Sequence, residues 1–433
     1  MSIESQHSLK TQSSLNSRSV MEEYSLTNDT DGALQIGGAP INKSCIINHM
    51  PCTEDEEPDD DKKSKIISKE ESEWWSIEQF LEDYPRDYYT FSPEKYLLLP
   101  TEQCEYSPEK LQLEKVLSKL NSGTDDHKCV TDMIIDDKIL DDKVELANII
   151  FENSQITLED WWTSIYDDTE SLSVSLQLLP MIYIKILAGI ATLNLNNFSH
   201  RHIKRSNIII NDDTNILLSD FGLIEDIRGL ESYSDFKEDP NDDYLYWPTD
   251  LLVINTDITP AKYRDHDSII NSDEMMNPKF SAFEIAWNII HNRFLKSSNT
   301  WAKDVDIILA LWSSLTQFIA GLHITNNDDI LLYDVKDSVI QNNIKKKWDV
   351  FMLGALLAEE LNNLEDLKSF LTPELIVFKQ KLKPLVIDMI SLNPMKRISL
   401  EDTIREFIKI YGYLANNDSI NLVIKDLKEL LKR

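Results

Sequence analysis

Lys204, Asn207 and Asp220 fall within one stretch, Ser199–Asp226, and His202 stands among them. An aspartate and an asparagine supply hard oxygen donors of the kind Mg²⁺ takes. A lysine adds a fixed positive charge, and an imidazole accepts or donates a proton according to its state. For these groups to act together, the chain must double back between residues 207 and 220. The sequence provides for that. Asn207–Asn211 is β-branched and apolar, Asp212-Asp213-Thr214-Asn215 is a cluster of turn formers, and Ile216–Leu218 is a second apolar run. This pattern predicts a short hairpin with a loop at either end. Lys204, Asn207 and Asp220 then lie close together at one mouth. Strands this short cannot form a domain alone, so larger elements must hold the hairpin.

The stretch resembles the catalytic core of eukaryotic protein kinases. The family pattern is H-R-D-[LI]-K-x-x-N followed by D-F-G. His200, Arg201, Lys204, Asn207 and Asp220-Phe221-Gly222 stand in register with it, and His202 occupies the position of the catalytic aspartate. The surroundings extend the resemblance. Thr157–Trp162 (TLEDWW) has a helix N-cap and early acids, like the helix after the kinase hinge. Leu178–Leu195 has helical apolar spacing and leads into the central stretch. Trp348–Gly354 resembles the D-V-[WFY]-S-L-G helix, and Leu392–Ser399 resembles the L-x-P-x-x-R-[IP]-[ST] element. Tyr244–Leu252 resembles the A-P-E region, with Asp250 keeping the acid. By that analogy Asp250 forms a buried ion pair with Arg397.

The resemblance implies an α+β, bilobal protein-kinase-like fold with a degenerate N-lobe and a mostly helical C-lobe. Residues 1–73 read as a disordered acidic tail, 74–153 as the N-lobe and 154–433 as the C-lobe. The C-lobe carries a helical insertion at about 253–345. The WP-containing segment and the insertion are reminiscent of kinase-like proteins of large DNA viruses.

The resemblance also implies a nucleotide site for ATP and Mg²⁺. Asn207 and Asp220 match the metal ligands, and Lys204 matches the lysine that meets the transferred phosphate, as in the Ser/Thr subclass. The strand lysine that contacts phosphates and its helix glutamate fall on Lys95 and Glu114. A hinge near Ile149–Asn153 places Glu152 among the cofactor-binding residues. Two features depart from the family. Of the ten glycines, only Gly123 lies between residues 39 and 188, so no glycine-rich loop can cover phosphates. His202 replaces the base, and losing a positioned base costs about 10²–10⁴-fold in rate. Together they favour a pseudokinase or strongly attenuated kinase acting through protein partners. Retention of Lys204, Asn207 and Asp220 favours the alternative, an active divergent Ser/Thr kinase with His202 as its base. An all-helical adaptor with chance matches is the third reading.

Composition sets further bounds. The formal net charge is −32, with 75 acidic against 43 basic residues. That argues against a nucleic acid or an anionic membrane as partner and permits basic protein partners or substrates. Four cysteines in 433 residues do not make a disulfide framework, so an intracellular, cytoplasmic setting is expected. The apolar run Ile307–Ile324 is long enough to span a membrane. It contains Ser313, Ser314, Thr316, Gln317 and His323, and reads as a buried amphipathic helix.

Overall fold

Strand β1 (Ser44–Asn48) and strand β2 (Lys62–Ser68) pair antiparallel, with Ser44 opposite Ile67 and Asn48 opposite Lys63. The computed structural model describes residues 44–48, 50, 52, 62–68, 74–106, 146–152, 156–167, 172–211, 215–228, 305–321, 345–412 and 417–432. All belong to one unit, Pro40–Arg433. Strands β3 (Glu102–Tyr106) and β4 (Leu146–Glu152) complete a four-stranded sheet in the order β1-β2-β4-β3. Every pairing in it is antiparallel.

This sheet corrects two expectations. First, the segment read as a disordered tail to residue 73 contributes two of the four strands. The β-branched runs Ile46-Ile47 and Ile66-Ile67 gain partners only when Leu146–Glu152 is brought alongside, which no local pattern announces. Second, Cys52 and Cys104 form a disulfide, with Cα atoms 5.5 Å apart. Met50 is hydrogen-bonded to the two central strands of the sheet. The Met50 N–H donates to Ser64 Oγ at 2.9 Å, and Asn148 Nδ2 donates to the Met50 carbonyl at 2.8 Å. The disulfide joins Cys52 to Cys104 on β3. The cysteine count therefore says nothing about a reducing compartment here.

Helix α1 (Trp74–Asp83) follows the sheet's second strand and buries Ile77 and Phe80. The Phe80 ring meets Phe198 edge-on at 5.5 Å. Pro93 then starts a short 3-10 turn, Pro93–Lys95, for which its fixed φ is suited. Residues 96–98 run beside the central hairpin: the Leu98 N–H donates to the Leu218 carbonyl at 2.8 Å, and the Leu218 N–H donates to the Tyr96 carbonyl at 2.9 Å.

Strand β5 (Ile156–Thr157) leads into helix α2 (Leu158–Asp167) through a capping box. The Asp160 N–H donates to Thr157 Oγ1 at 3.0 Å, and the Thr157 N–H donates to Asp160 Oδ2 at 3.2 Å. Helix α3 (Leu179–Asn194) is the axis of the helical body, and every residue in it except Lys185 is buried. The continuous run Leu172–Asn194 is long and apolar enough to cross a membrane. Its burial within the protein accounts for that composition. It ends at β6 (Phe198–Ser199). The hairpin follows as β7 (Ile208–Ile210) and β8 (Ile216–Leu218), with Ile208 opposite Leu218. Strand β9 (Glu225–Asp226) pairs back with β6.

Helix α4 (Val305–Gly321) buries Ile307, Leu311 and Leu315, in keeping with an amphipathic helix. The rest of the expected insertion, 253–304 and 322–344, lies outside the described residues. Helices α5 (Trp348–Asp366), α6 (Pro373–Met389), α7 (Leu400–Tyr411) and α8 (Asp418–Leu430) complete the body. Thr372, Ser399 and Asn417 cap α6, α7 and α8, each accepting from a backbone N–H of the first turn.

Helices α5 and α6 touch where Gly354 lies against the end of α6. A Cβ at residue 354 would stand 2.7 Å from Met389 Cβ and 2.9 Å from Ile390 Cγ2. Neither is the far end of a flexible chain. Gly354→Ala is therefore expected to cost about 1–3 kcal/mol through overpacking, read by urea denaturation. A variant as stable as wild type would show that this contact is not tight.

Candidate functional site

Two loops build the site, and one buried carboxylate holds the first of them. Asp349 sits in the opening turn of α5 and is fully buried. Its Oδ2 accepts from the His200 N–H at 2.8 Å and from Asn194 Nδ2 at 2.5 Å, while its Oδ1 accepts from the Arg201 N–H at 2.8 Å. Burial raises the pKa of this carboxyl, and the backbone donors of Arg201 and His200 oppose that shift.

The His200 ring links the two loops. Burial pushes its pKa down to about 3, so it is neutral at physiological pH. Nε2 lies 3.0 Å from the Ser219 carbonyl and donates to it, while Nδ1 accepts from the His202 N–H at 3.2 Å. One imidazole thus fixes both the residue before Asp220 and the residue at position 202. Its edge also meets Phe221 at 5.2 Å. Arg201 and Asp220 both have left-handed backbones, with φ of 63° and 62°. Non-glycine residues held there store about 1–3 kcal/mol each, which the surrounding contacts must over-determine.

Arg201 Nη1 pairs with Glu225 at 3.0 Å, and the buried Lys345 pairs with the same carboxylate at 3.0 Å. Arg205 Nε donates to Glu360 Oε1 at 2.7 Å. Glu360 Oε2 in turn accepts from Trp162 Nε1 and Tyr183 Oη, and burial raises the pKa of this carboxyl.

At the mouth stands Asp220. Its Oδ1 pairs with Lys65 Nζ at 2.9 Å. Its Oδ2 accepts from His202 Nδ1 at 2.9 Å and from Asn207 Nδ2 at 3.1 Å. Burial alone would raise the Asp220 pKa. The His202 hydrogen bond and the Lys65 charge outweigh it and hold the carboxyl well below the usual carboxylate range. Asn207 Nδ2 also donates to the His202 carbonyl at 2.8 Å, and Asn207 Oδ1 lies 3.5 Å from Ser206 Oγ. Lys204 is half-buried at the same mouth, and its ammonium makes no ion pair among the described residues.

A family model described as protein tyrosine and serine/threonine kinase matches residues 111–247, which include both loops. The chain is protein kinase-like. A comparison with curated proteins gave no match.

In this kinase-like site His202, Lys204, Asn207 and Asp220 stand on the two adjoining loops, and His202 and Asn207 both touch Asp220. Lys95 stands elsewhere. It lies in the 3-10 turn begun by Pro93, and its ammonium pairs with Asp426 of α8 at 2.5 Å. The strand lysine that reaches Asp220 is Lys65, on β2. Its sequence signal is the basic and β-branched run KKSKIIS, which the adjoining acidic run Glu54–Asp61 masks. Glu152 ends β4 opposite Lys62. Glu114 and Asp250 lie outside the described residues. Arg397, 1% exposed, donates from Nε to the Ser391 carbonyl at 2.9 Å, and its guanidinium lies over Phe351.

The fit to Mg²⁺ can be judged from the donor set. A magnesium ion takes oxygen ligands in near-octahedral array. Here both Asp220 oxygens already accept from N–H groups, and Asn207 turns its amide nitrogen toward them. As arranged, these residues do not fit the ion.

Asp349→Ala would leave the His200 and Arg201 N–H groups and Asn194 Nδ2 without their acceptor. At about 1–3 kcal/mol for a buried donor left unsatisfied, the expected loss is on the order of 3 kcal/mol or more in chemical denaturation. Asp349→Asn, which keeps one oxygen, should fall between that and wild type. A loss below about 1 kcal/mol for the alanine variant would remove Asp349 as the anchor of the loop.

Proposed function

We propose that this chain is a serine/threonine kinase-like pseudokinase with a bilobal fold. It binds ATP between the Lys65 strand and the Asp220 loop and acts through protein partners, with phosphotransfer absent or strongly attenuated. The observation that carries this reading is the contact between His202 and Asp220. In phosphoryl transfer a carboxylate at the base position orients the substrate hydroxyl and accepts its proton. His202 instead spends Nδ1 as a donor to Asp220, so the two loops lock onto each other. The connection between β1 and β2, residues 49–61, holds no glycine and carries the acidic run Glu54–Asp61. Such a segment is poorly suited to cradle a triphosphate. The net charge of −32 favours partners with basic surfaces.

The same contact favours a second reading. A carboxylate that takes the Nδ1 proton of a histidine fixes the tautomer in which Nε2 is the acceptor, as in hydrolytic triads. His202 would then be a working base in an active, divergent Ser/Thr kinase.

Phosphotransfer assays separate the two. The purified chain is expected to transfer no label from ATP to itself or to a basic protein substrate. His202→Asp, which restores the family's carboxylate, should raise transfer by up to about 10²–10⁴-fold. Transfer by wild type that is abolished in His202→Ala would overturn the pseudokinase reading and establish the histidine base.

A further inference from the structure

We infer that this site takes a nucleoside triphosphate without a divalent cation, its phosphates neutralised by the protein's own side chains. The inference rests on the nucleotide-binding reading above and specifies the form of the ligand.

Both oxygens of the Asp220 carboxylate are occupied. Lys65 Nζ lies 2.9 Å from Asp220 Oδ1, and His202 Nδ1 lies 2.9 Å from Oδ2. Asn207 Nδ2 adds a third donor at 3.1 Å to that same Oδ2. A divalent ion can reach this carboxylate only by displacing an ammonium and an imidazole donor from it. It would then stand beside the displaced ammonium, where like charges repel.

The donors beside Asp220 are also of the wrong kind for a metal. Among the described residues no group of three or more His, Cys, Asp and Glu side chains could hold a metal ion. The Asn207 amide contributes a donor where an ion needs oxygen, and that amide is fixed twice, by Asp220 and by the His202 carbonyl.

A metal in a nucleotide site offsets phosphate charge. Here Lys65 is buried on β2, and Lys204 sits half-buried on the facing loop. Lys65 is held at the mouth by Asp220, and its ammonium has three N–H donors, so it can meet a phosphate while keeping the carboxylate. The family's two-metal arrangement is thus replaced by fixed cations, with His202 holding Asp220 in the place of an ion.

Isothermal titration of the full chain with ATP tests this, once in EDTA and once in excess Mg²⁺. The expected result is binding in EDTA at least as tight as in Mg²⁺. Lys65→Ala should weaken it by about tenfold or more, equivalent to about 1.4 kcal/mol. Lys95→Ala should leave it unchanged, because Lys95 is engaged with Asp426. His202→Asp should shift the site toward Mg²⁺-dependent binding. Binding seen only with Mg²⁺ would overturn the inference and leave the nucleotide reading intact. No binding in either buffer would overturn both.

Discussion

The buried carboxylate of Asp349 is the constraint on which the site depends. Placed at the start of α5, it accepts from the backbone of His200 and Arg201 and from the side chain of Asn194 at the end of α3. Two segments about 150 positions apart, residues 194–201 and the start of α5, meet at one acid. A charge so deep is costly to bury, and only a full set of donors offsets that cost. The left-handed backbone of Arg201 is held by the same contacts, because an unsupported strained residue would relax.

From that anchor the geometry propagates through His200. Its neutral ring has one donor and one acceptor, and the two loops use both. The Ser219 carbonyl takes the proton, and the His202 N–H gives one. Asp220 follows Ser219 directly, so its strained conformation and its approach to His202 are set together. The sheet joins at the same point through Lys65. One carboxylate, Asp220, therefore ties the four-stranded sheet to the helical body.

The C-terminal helix α8 supplies a second tie to the site. Asp426 accepts from Tyr96 Oη at 2.6 Å and from Lys95 Nζ, and Glu429 accepts from the N–H and hydroxyl of Thr90. Burial and the Asp426 hydrogen bond push the Tyr96 hydroxyl well above its ordinary range. The backbone of Tyr96 pairs with Leu218, two residues before Asp220. The end of the chain thus supports the segment that flanks the site, through a short hydrogen-bonded path.

What the sequence determined by itself was local chemistry and local period. The hairpin of Ile208–Ile210 and Ile216–Leu218, the capping box at Thr157, the apolar helix through Leu179–Asn194 and the loops bearing His202, Lys204, Asn207 and Asp220 all follow from neighbours along the chain. The kinase-like family was legible for the same reason, since its motifs are short and their spacing is fixed. Only the tertiary structure decided which lysine faces Asp220. Lys95 and Lys65 are equivalent as residues, and what separates them is long-range. Asp426, 331 positions away, draws the first, while β4 pairing places the second 155 positions from its carboxylate. The strands at Ser44–Asn48 and Lys62–Ser68 and the Cys52–Cys104 bridge were hidden for that reason too. A strand is stabilised by a partner that its own sequence does not contain, and an acidic, polar neighbourhood gives no sign of one.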